Sequence, residues 1–539
     1  MSDKEKNTVV TELHSLVELS HDEHDVKAAT THRSTIRHEI TSEKELDDAY
    51  LYTTVHEHVE LDEATDRKLL RKIDFFLMPV LCTLYCFQFM DKLTNSYASI
   101  LGLRTDLHMV GDMYSWTGSA FYLGYLVFEF PAVALLQRFP VAKTVGIFII
   151  LWGVVLCLHS IANYAGFIVL RTILGMLESS VTPGLVIITS QYYRGASHRI
   201  RGQEDKKQFS DEVFLRTAWW FASNGIGAII GSGAIAFNIF NNAGNYSLKA
   251  WKLIFIVTGV CTIFIGIIFF IHIPDNPTKA WFLSEREKIL VVERIRVNQQ
   301  GFGNKKFKLY QFKEALLDHR TWLFFFTALF SNIPNGGLTN FASILLSEDM
   351  GFSTGKALLM QMPGGAVEIA GCVLLAYCSN FLKSRMFWAV LGSGIATIAM
   401  FLLAFSNDDT TKYAGYTTTL IAPIGLISLL SNISSNVTGH TKKVTVNAIL
   451  LIGYCVGNLI GPQTFLATEA PNFRTAKICI AVFAMLSFIC FNLIWISYYL
   501  SNKKKDREYE EAGGEFDLGE NYEFTDLTDK ENPLFRYKL

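Results

Sequence analysis

Apolar residues gather in runs separated by short polar breaks. The first run spans Ile73 to Leu103, and five more lie near residues 114–137, 143–162, 165–191, 217–240 and 250–273. A stretch dense in Lys, Arg and Glu covers 274–318, after which six further runs fall near 320–346, 355–380, 384–406, 413–435, 443–467 and 475–500. A helix needs about 20 apolar residues to cross a bilayer. The pattern therefore predicts an all-α membrane protein of twelve transmembrane helices in two six-helix halves. The expected segments are a polar N-terminal tail (1–66), an N-terminal bundle (67–273), a central loop (274–318), a C-terminal bundle (319–500) and a C-terminal tail (501–539). The composition of residues 1–66 predicts a disordered tail. Ser284 and Glu287 have the spacing of a capping box, which predicts a surface helix running to Arg296.

The 539 residues are 50% hydrophobic and 18% charged, as a polytopic membrane protein requires, and the net charge of −2 gives no reason to expect nucleic acid. All nine cysteines lie in apolar runs, so neither a disulfide framework nor a zinc site is expected; Cys82 and Cys86 share a helix face and read as packing residues. The histidines before residue 60 are too scattered for a metal site. No constellation of nucleophile, metal ligands or phosphate loop is present, so an enzyme and a cofactor are both unexpected. Residues 1–66 contain no apolar signal-peptide core, which leaves targeting to the first span. Lys68, Arg71, Lys72, Arg138, Lys143, Lys383, Arg385, Lys442, Lys443, Lys503, Lys504, Lys505 and Arg507 outnumber Arg104, Lys412 and Arg474 on the alternate side, which predicts cytoplasmic termini and a cytoplasmic central loop. Of three sequons, Asn245 then falls outside and is the plausible glycan site, whereas Asn432 and Asn436 lie at a cytoplasmic helix end.

Ionisable residues inside membrane spans are expensive and mark function. Asp91 and Lys92 are adjacent in the first span, with apolar residues resuming at Tyr97; the alternative is that both charges lie at the outer interface. Arg171 and Glu178 are two helical turns apart in the fourth span and share a face. Lys92 and Arg171 are candidates to bind a carboxylate, and Asp91 and Glu178 to take a proton. For Arg171 and Glu178 a purely structural pairing remains open. Glu129, before Pro131, and Glu368, after Pro363-Gly364-Gly365, are candidate gates, with plain structural contacts as the alternative. In the seventh span Asn332, Asn335 and Asn340 flank Pro334, Gly336 and Gly337, an interruption tolerated where a helix lines a cavity. Their amides, with Tyr122, Gln361 and Asn458, are candidate substrate contacts, against interhelical hydrogen bonding or packing. Glycines at four-residue spacing in the fifth span (Gly227, Gly231) and eleventh (Gly453, Gly457, Gly461) predict close helix approach.

The strings Gln88-Phe-Met-Asp91-Lys92, Ala120-Phe-Tyr122-Leu-Gly124-Tyr125, Arg171-Thr-Ile-Leu-Gly175-Met-Leu-Glu178-Ser, Val291 to Gly303, Ser331-Asn332-Ile-Pro-Asn335-Gly-Gly337 and Phe524 to Asn532 resemble the fungal allantoate permease family, the anion:cation symporter branch of the major facilitator superfamily. The resemblance covers about residues 60–539. It implies a proton-coupled symporter of small organic anions, with allantoate and ureidosuccinate (and dipeptides) foremost and nicotinate, pantothenate, biotin or cysteine carried by relatives. It also implies that Asp91 and Glu178 stand where related bacterial sugar-acid symporters place proton-coupling carboxylates, and Arg171 at the matching fourth-helix arginine. Their first-helix Asp-Arg is here Asp91-Lys92, which keeps the charge without the bidentate fork. The signature between the second and third spans is degenerate, reading Gln137 to Lys143. Arg194 to Glu212 contains an insertion relative to the family, read either as a regulatory loop or as a retained intron.

The expected protein is a monomeric, multi-pass plasma-membrane importer whose coupling ion is the proton, partnered by its anion substrate and the lipid bilayer. Its acidic C-terminal string from Asp526 to Asn532 is expected to meet a trafficking or signalling partner. A nutrient receptor that signals without net transport is the alternative from a different class.

Overall fold

The computed structural model describes residues 62–194, 212–296, 308–381, 384–511 and 527–539, all within one compact unit, Val59–Leu539. Residues 1–61 of the expected N-terminal tail and most of the Arg194–Glu212 insertion lie outside the described residues, whereas Glu63 to Asp66, expected in that tail, belong to the first helix. Among the described residues twelve long helical elements form the body. In the first half these are α1 (Glu63–Ala98), α2 (Met113–Arg138), α3 (Val141–Leu158), α4 (Tyr164–Glu178 and Val181–Tyr192), α5 (Glu212–Ile229, continuing to Asn241) and α6 (Ala250–His272). In the second they are α7 (His319–Ile344), α8 (Thr354–Leu359 and Met362–Phe381), α9 (Arg385–Phe405), α10 (Asp409–Thr419 and Pro423–Asn436), α11 (His440–Gln463) and α12 (Arg474–Glu511). Among the described residues eleven helices are long and apolar enough by composition to cross a membrane; α7 is not among them. It has 26 residues, but its middle carries Asn332, Pro334, Asn335, Gly336 and Gly337.

The halves repeat one packing plan. The pairs α1–α5, α2–α4 and α3–α6 of the first half recur as α7–α11, α8–α10 and α9–α12 of the second. Even the local defects correspond, because α1 and α7 both end in a π turn, Ser99–Leu103 and Leu345–Asp349. Gly102 closes the first of these with a φ of 100°, a conformation an L side chain rarely adopts. The predicted glycines are where helices touch. A Cβ on Gly227 would sit 2.2 Å from the Cys86 carbonyl oxygen of α1, and one on Gly457 2.5 Å from the Leu329 carbonyl oxygen of α7.

Between the halves, α1 meets α7, α2 meets α11 and α5 meets α8. The cross-half hydrogen bonds gather at the face opposite the start of α1. Asn95 donates to Asn340 (3.1 Å), Tyr114 to the Asn340 carbonyl (2.7 Å), Ser96 to Ser343 (3.0 Å) and Gln463 to Ser119 (2.8 Å). One apolar core runs through both halves there, while a second, around Phe324, Ile433, Leu450 and Tyr498, belongs to the second half alone. The halves are thus joined at the opposite face.

The face where α1 begins is built from ion pairs. The predicted capping box forms, with the Ser284 N–H donating to Glu287 (2.8 Å) and the Glu287 N–H to the Ser284 hydroxyl (3.4 Å), and it starts a helix over Glu285–Arg296. That helix is tied down by Arg294, which pairs with Asp66 (2.7 Å) and Glu212 (2.5 Å), and by Lys72 on Glu287 (2.7 Å). A second helix, Leu309–Leu317, was not foreseen; it packs on α11, and its shortness hides it from periodicity. Residues 527–539 do not extend into solvent. Asp529 is buried, accepting from Lys442 (2.7 Å) and the Tyr537 hydroxyl (2.7 Å), and Asn436 clasps the Lys538 backbone on both its N–H and C=O. The part of the acidic string within the described residues is thus in contact with the second half of the chain itself.

Candidate functional site

Asp91 and Lys92 are neighbours in sequence but face different helices, because consecutive residues point about 100° apart around a helix. Asp91, 1% exposed, accepts from the Thr262 hydroxyl of α6 (2.5 Å), and its other oxygen has no hydrogen-bond partner. Lys92 turns to α4, where its ammonium lies 3.0 Å from Glu178 Oε1 and 5.5 Å from the centre of the Phe121 ring. Gln88, one turn before Lys92, donates to the same Glu178 oxygen (2.9 Å). Both side chains lie within the helix bundle, Asp91 buried and Lys92 half-buried.

Glu178 ends the first segment of α4, just before the break at Ser179 and Ser180. Close packing fixes its height: a Cβ on Gly175 would come within 1.9 Å of the Phe121 carbonyl oxygen of α2, and one on Gly124 within 1.9 Å of that of Thr172. Arg171 shares the face of Glu178 but does not pair with it. Its guanidinium lies over the rings of Phe167 (5.4 Å) and Phe255 (5.6 Å), and its Nε and one Nη have no hydrogen-bond partner. Lys92 therefore takes the role on Glu178 that spacing alone offered to Arg171.

The second half contributes amides. Asn458 of α11 donates to Asn332 (3.1 Å) and accepts from Asn335 (2.9 Å), so these three form one chain between α7 and α11. Asn340 lies apart from them, in the seam with Asn95, and Gln361 donates to Ser343 (3.1 Å) near the same seam. Tyr122 is buried with its hydroxyl unpartnered, its ring 6.4 Å from that of Tyr454 across the halves. Glu129 and Glu368 are each buried with neither carboxyl oxygen in a hydrogen bond. Asn245 lies exposed in the α5–α6 loop, whereas Asn432 and Asn436 are buried. Sequence reasoning overlooked Gln88 and Thr262 as site members. Gln88 had a signal, since it is four residues from Lys92; Thr262 had none. A cavity of 630 Å³ between Leu101, Asp106, Phe240 and Trp251 opens elsewhere, and none of these site residues lines it.

An ionisable first half thus faces an amide-bearing second half inside a bundle of two repeated bundles, the architecture of a membrane transporter. The sequence profile of the Major Facilitator Superfamily matches residues 80–462. The chain is 46% identical to an uncharacterised transporter of Schizosaccharomyces pombe, over 92% of this chain and 94% of that one. It is 44% identical to the allantoate permease of Saccharomyces cerevisiae, over 92% and 90% of the two chains. A thiamine pathway transporter of the same yeast is 34% identical over 87% and 86%. In three dimensions it resembles a bacterial homologue of the human lysosomal transporter Spinster with a TM-score of 0.55 at 17% identity, covering 78% of this chain and 96% of that one. The chain belongs to the Major Facilitator Superfamily, within the allantoate permease family that fungal transporters represent. It is a transporter and not an enzyme.

Proposed function

We propose that the chain imports a small organic anion across the plasma membrane together with protons, with allantoate or ureidosuccinate as the cargo and both termini in the cytoplasm. The observation that carries this is the Lys92–Glu178 pair beside a buried Asp91. In the present state Glu178 neutralises Lys92. When Glu178 takes a proton that neutralisation ends, and the ammonium is released to a substrate carboxylate, so proton and anion enter the site together. The exposed Asn335 amide, held by its bond to Asn458, has a donor and an acceptor left for a ureido group. The 44% identity to allantoate permease supports the choice of cargo. Joined at the opposite face, the halves stand in the inward-facing state of an alternating-access cycle. The excess of Lys and Arg on the α1-start side supports the orientation, with exposed Asn245 outside as the glycan acceptor.

The test is uptake of labelled allantoate, in yeast lacking its own allantoate permease, at acidic and at neutral external pH with a protonophore control. Acid-stimulated, protonophore-sensitive uptake is expected. Asp91→Asn or Glu178→Gln should abolish accumulation while leaving exchange of substrate across the membrane. Normal accumulation by both variants would overturn the assignment of the coupling carboxyls. The likeness to the thiamine pathway transporter favours a second reading, in which the cargo is a vitamin or sulfur-containing acid. Uptake of such a compound without allantoate uptake would select it.

A further inference from the structure

Glu368 lies where the halves meet most closely away from the substrate-facing residues. In the α5–α8 seam Gly225 and Gly365 approach so tightly that a Cβ on Gly225 would lie 2.2 Å from the Gly365 carbonyl oxygen. The residue before Gly225 is Asn224, and one turn beyond Gly365 is Glu368, 1% exposed. The Asn224 amide is within interaction range of the Glu368 carboxyl, yet both Glu368 oxygens and the Asn224 carbonyl oxygen lack a donor. The Asn224 side chain thus offers the carboxyl one neutral amide and no counter-charge.

Among the described residues, the titratable group that interacts with Glu368 is the Cys372 thiol, one turn along α8. α5 packs on α8 with Ala228 and Ile229, and α10 with Leu420, Ile421 and Ile424. A carboxylate enclosed there has at most a neutral amide and no charge partner to offset its lost hydration, whereas a carboxylic acid carries no charge and can supply the donor that the Asn224 oxygen lacks. Glu129 occupies the pseudo-equivalent α2–α11 seam, near Cys455, but faces no amide, so the case is strongest for Glu368.

We propose that Glu368 binds a proton as the α5–α8 seam closes and gives it up when the seam opens. The carboxylate takes one proton from water on the opposite-face side before the glycines meet, and returns it to water after they part; no other bond changes. Glu368 is then a proton site separate from Asp91 and Glu178, and it makes closure of the seam sensitive to the pH on that side. The inference rests on the two halves moving apart, not on the identity of the cargo or on coupled uptake.

Two measurements on the full chain in lipid nanodiscs test it without substrate. In infrared difference spectra at neutral pH, wild type minus Glu368→Gln should contain a protonated-carboxyl band, and Asn224→Leu should move that band. Hydrogen exchange of the α5 and α8 peptides, corrected for intrinsic rate, should show the closed-to-open ratio falling by up to about tenfold per pH unit in the wild type, the limit for one linked proton, and staying level in Glu368→Gln. A carboxylate signature at neutral pH, or equal pH dependence in the two proteins, overturns the proposal. If Glu368→Gln does not fold, the band shift in Asn224→Leu decides alone, and no shift counts against it. None of these outcomes depends on whether allantoate is transported.

Discussion

Gln88 and Lys92 reach the same oxygen of Glu178, while Asp91 turns away to Thr262. The charged members of this group were legible in the sequence because a charge in an apolar run stands out against the cost of burying it. The uncharged members were not, since a Thr or Gln in a membrane helix is common and its partner is set by the packing of another helix. Arg171 illustrates the same limit: spacing put it on the Glu178 face, yet the rings of Phe167 and Phe255 hold it away from the carboxylate. That packing depends on glycine. Gly175→Ala, whose Cβ would lie 1.9 Å from a backbone oxygen of α2, should cost about 1–3 kcal/mol. Gly244→Ala, with nothing within 4 Å, should cost little. Thermal unfolding of the two purified variants checks the contrast, and equal midpoints would refute it.

At the level of elements, all twelve helices were foreseen from runs of apolar residues, including α7, whose asparagines lower its apolarity. The breaks at Ser179–Ser180 in α4, at Met360–Gln361 in α8 and at Leu420–Ala422 in α10 were not, because one or two polar residues, or none at Leu420–Ala422, interrupt an apolar run that resumes at once. The insertion between α4 and α5 can be judged by its two ends. The Arg194 carbonyl accepts from the N–H groups of both Glu212 (3.0 Å) and Val213 (3.1 Å), so the chain leaves and returns at one point. Replacing residues 195–211 by a four-residue Gly-Ser linker should change loop-closure entropy by only about 1 kcal/mol. Surface abundance and uptake of that variant should match the full chain. A collapse in abundance would show that the segment takes part in folding.

Across the whole molecule, the second half is finished by the end of the chain, which composition could not reveal because a short acidic segment reads as solvent-exposed. Lys442 pairs with Glu314 (2.9 Å), Asp318 (3.3 Å) and Asp529 (2.7 Å), and Lys530 reaches back to Asp318 (3.1 Å). Burial alone would raise the Asp318 carboxyl, but Lys442, Arg320 and Lys530 outweigh it and hold the group below the usual carboxylate range. A carboxyl lowered by folding stabilises fully above its ordinary value, near pH 4, and the contribution is lost as pH falls through the lowered one. Asp318→Asn should therefore lower stability at neutral pH and flatten the acid limb of the unfolding profile. Parallel profiles for the two proteins would argue against this account.

Asp529 is synthesised after all twelve helices, yet it is buried against α7 and α11. The second bundle thus reaches the membrane with an unfinished base and is completed only once translation has passed the last helix. A nonsense mutation shortly before codon 529 would leave every membrane helix intact and still remove one of the three carboxylates around Lys442, giving cellular quality control a feature by which to tell such a chain from one that carries Asp529.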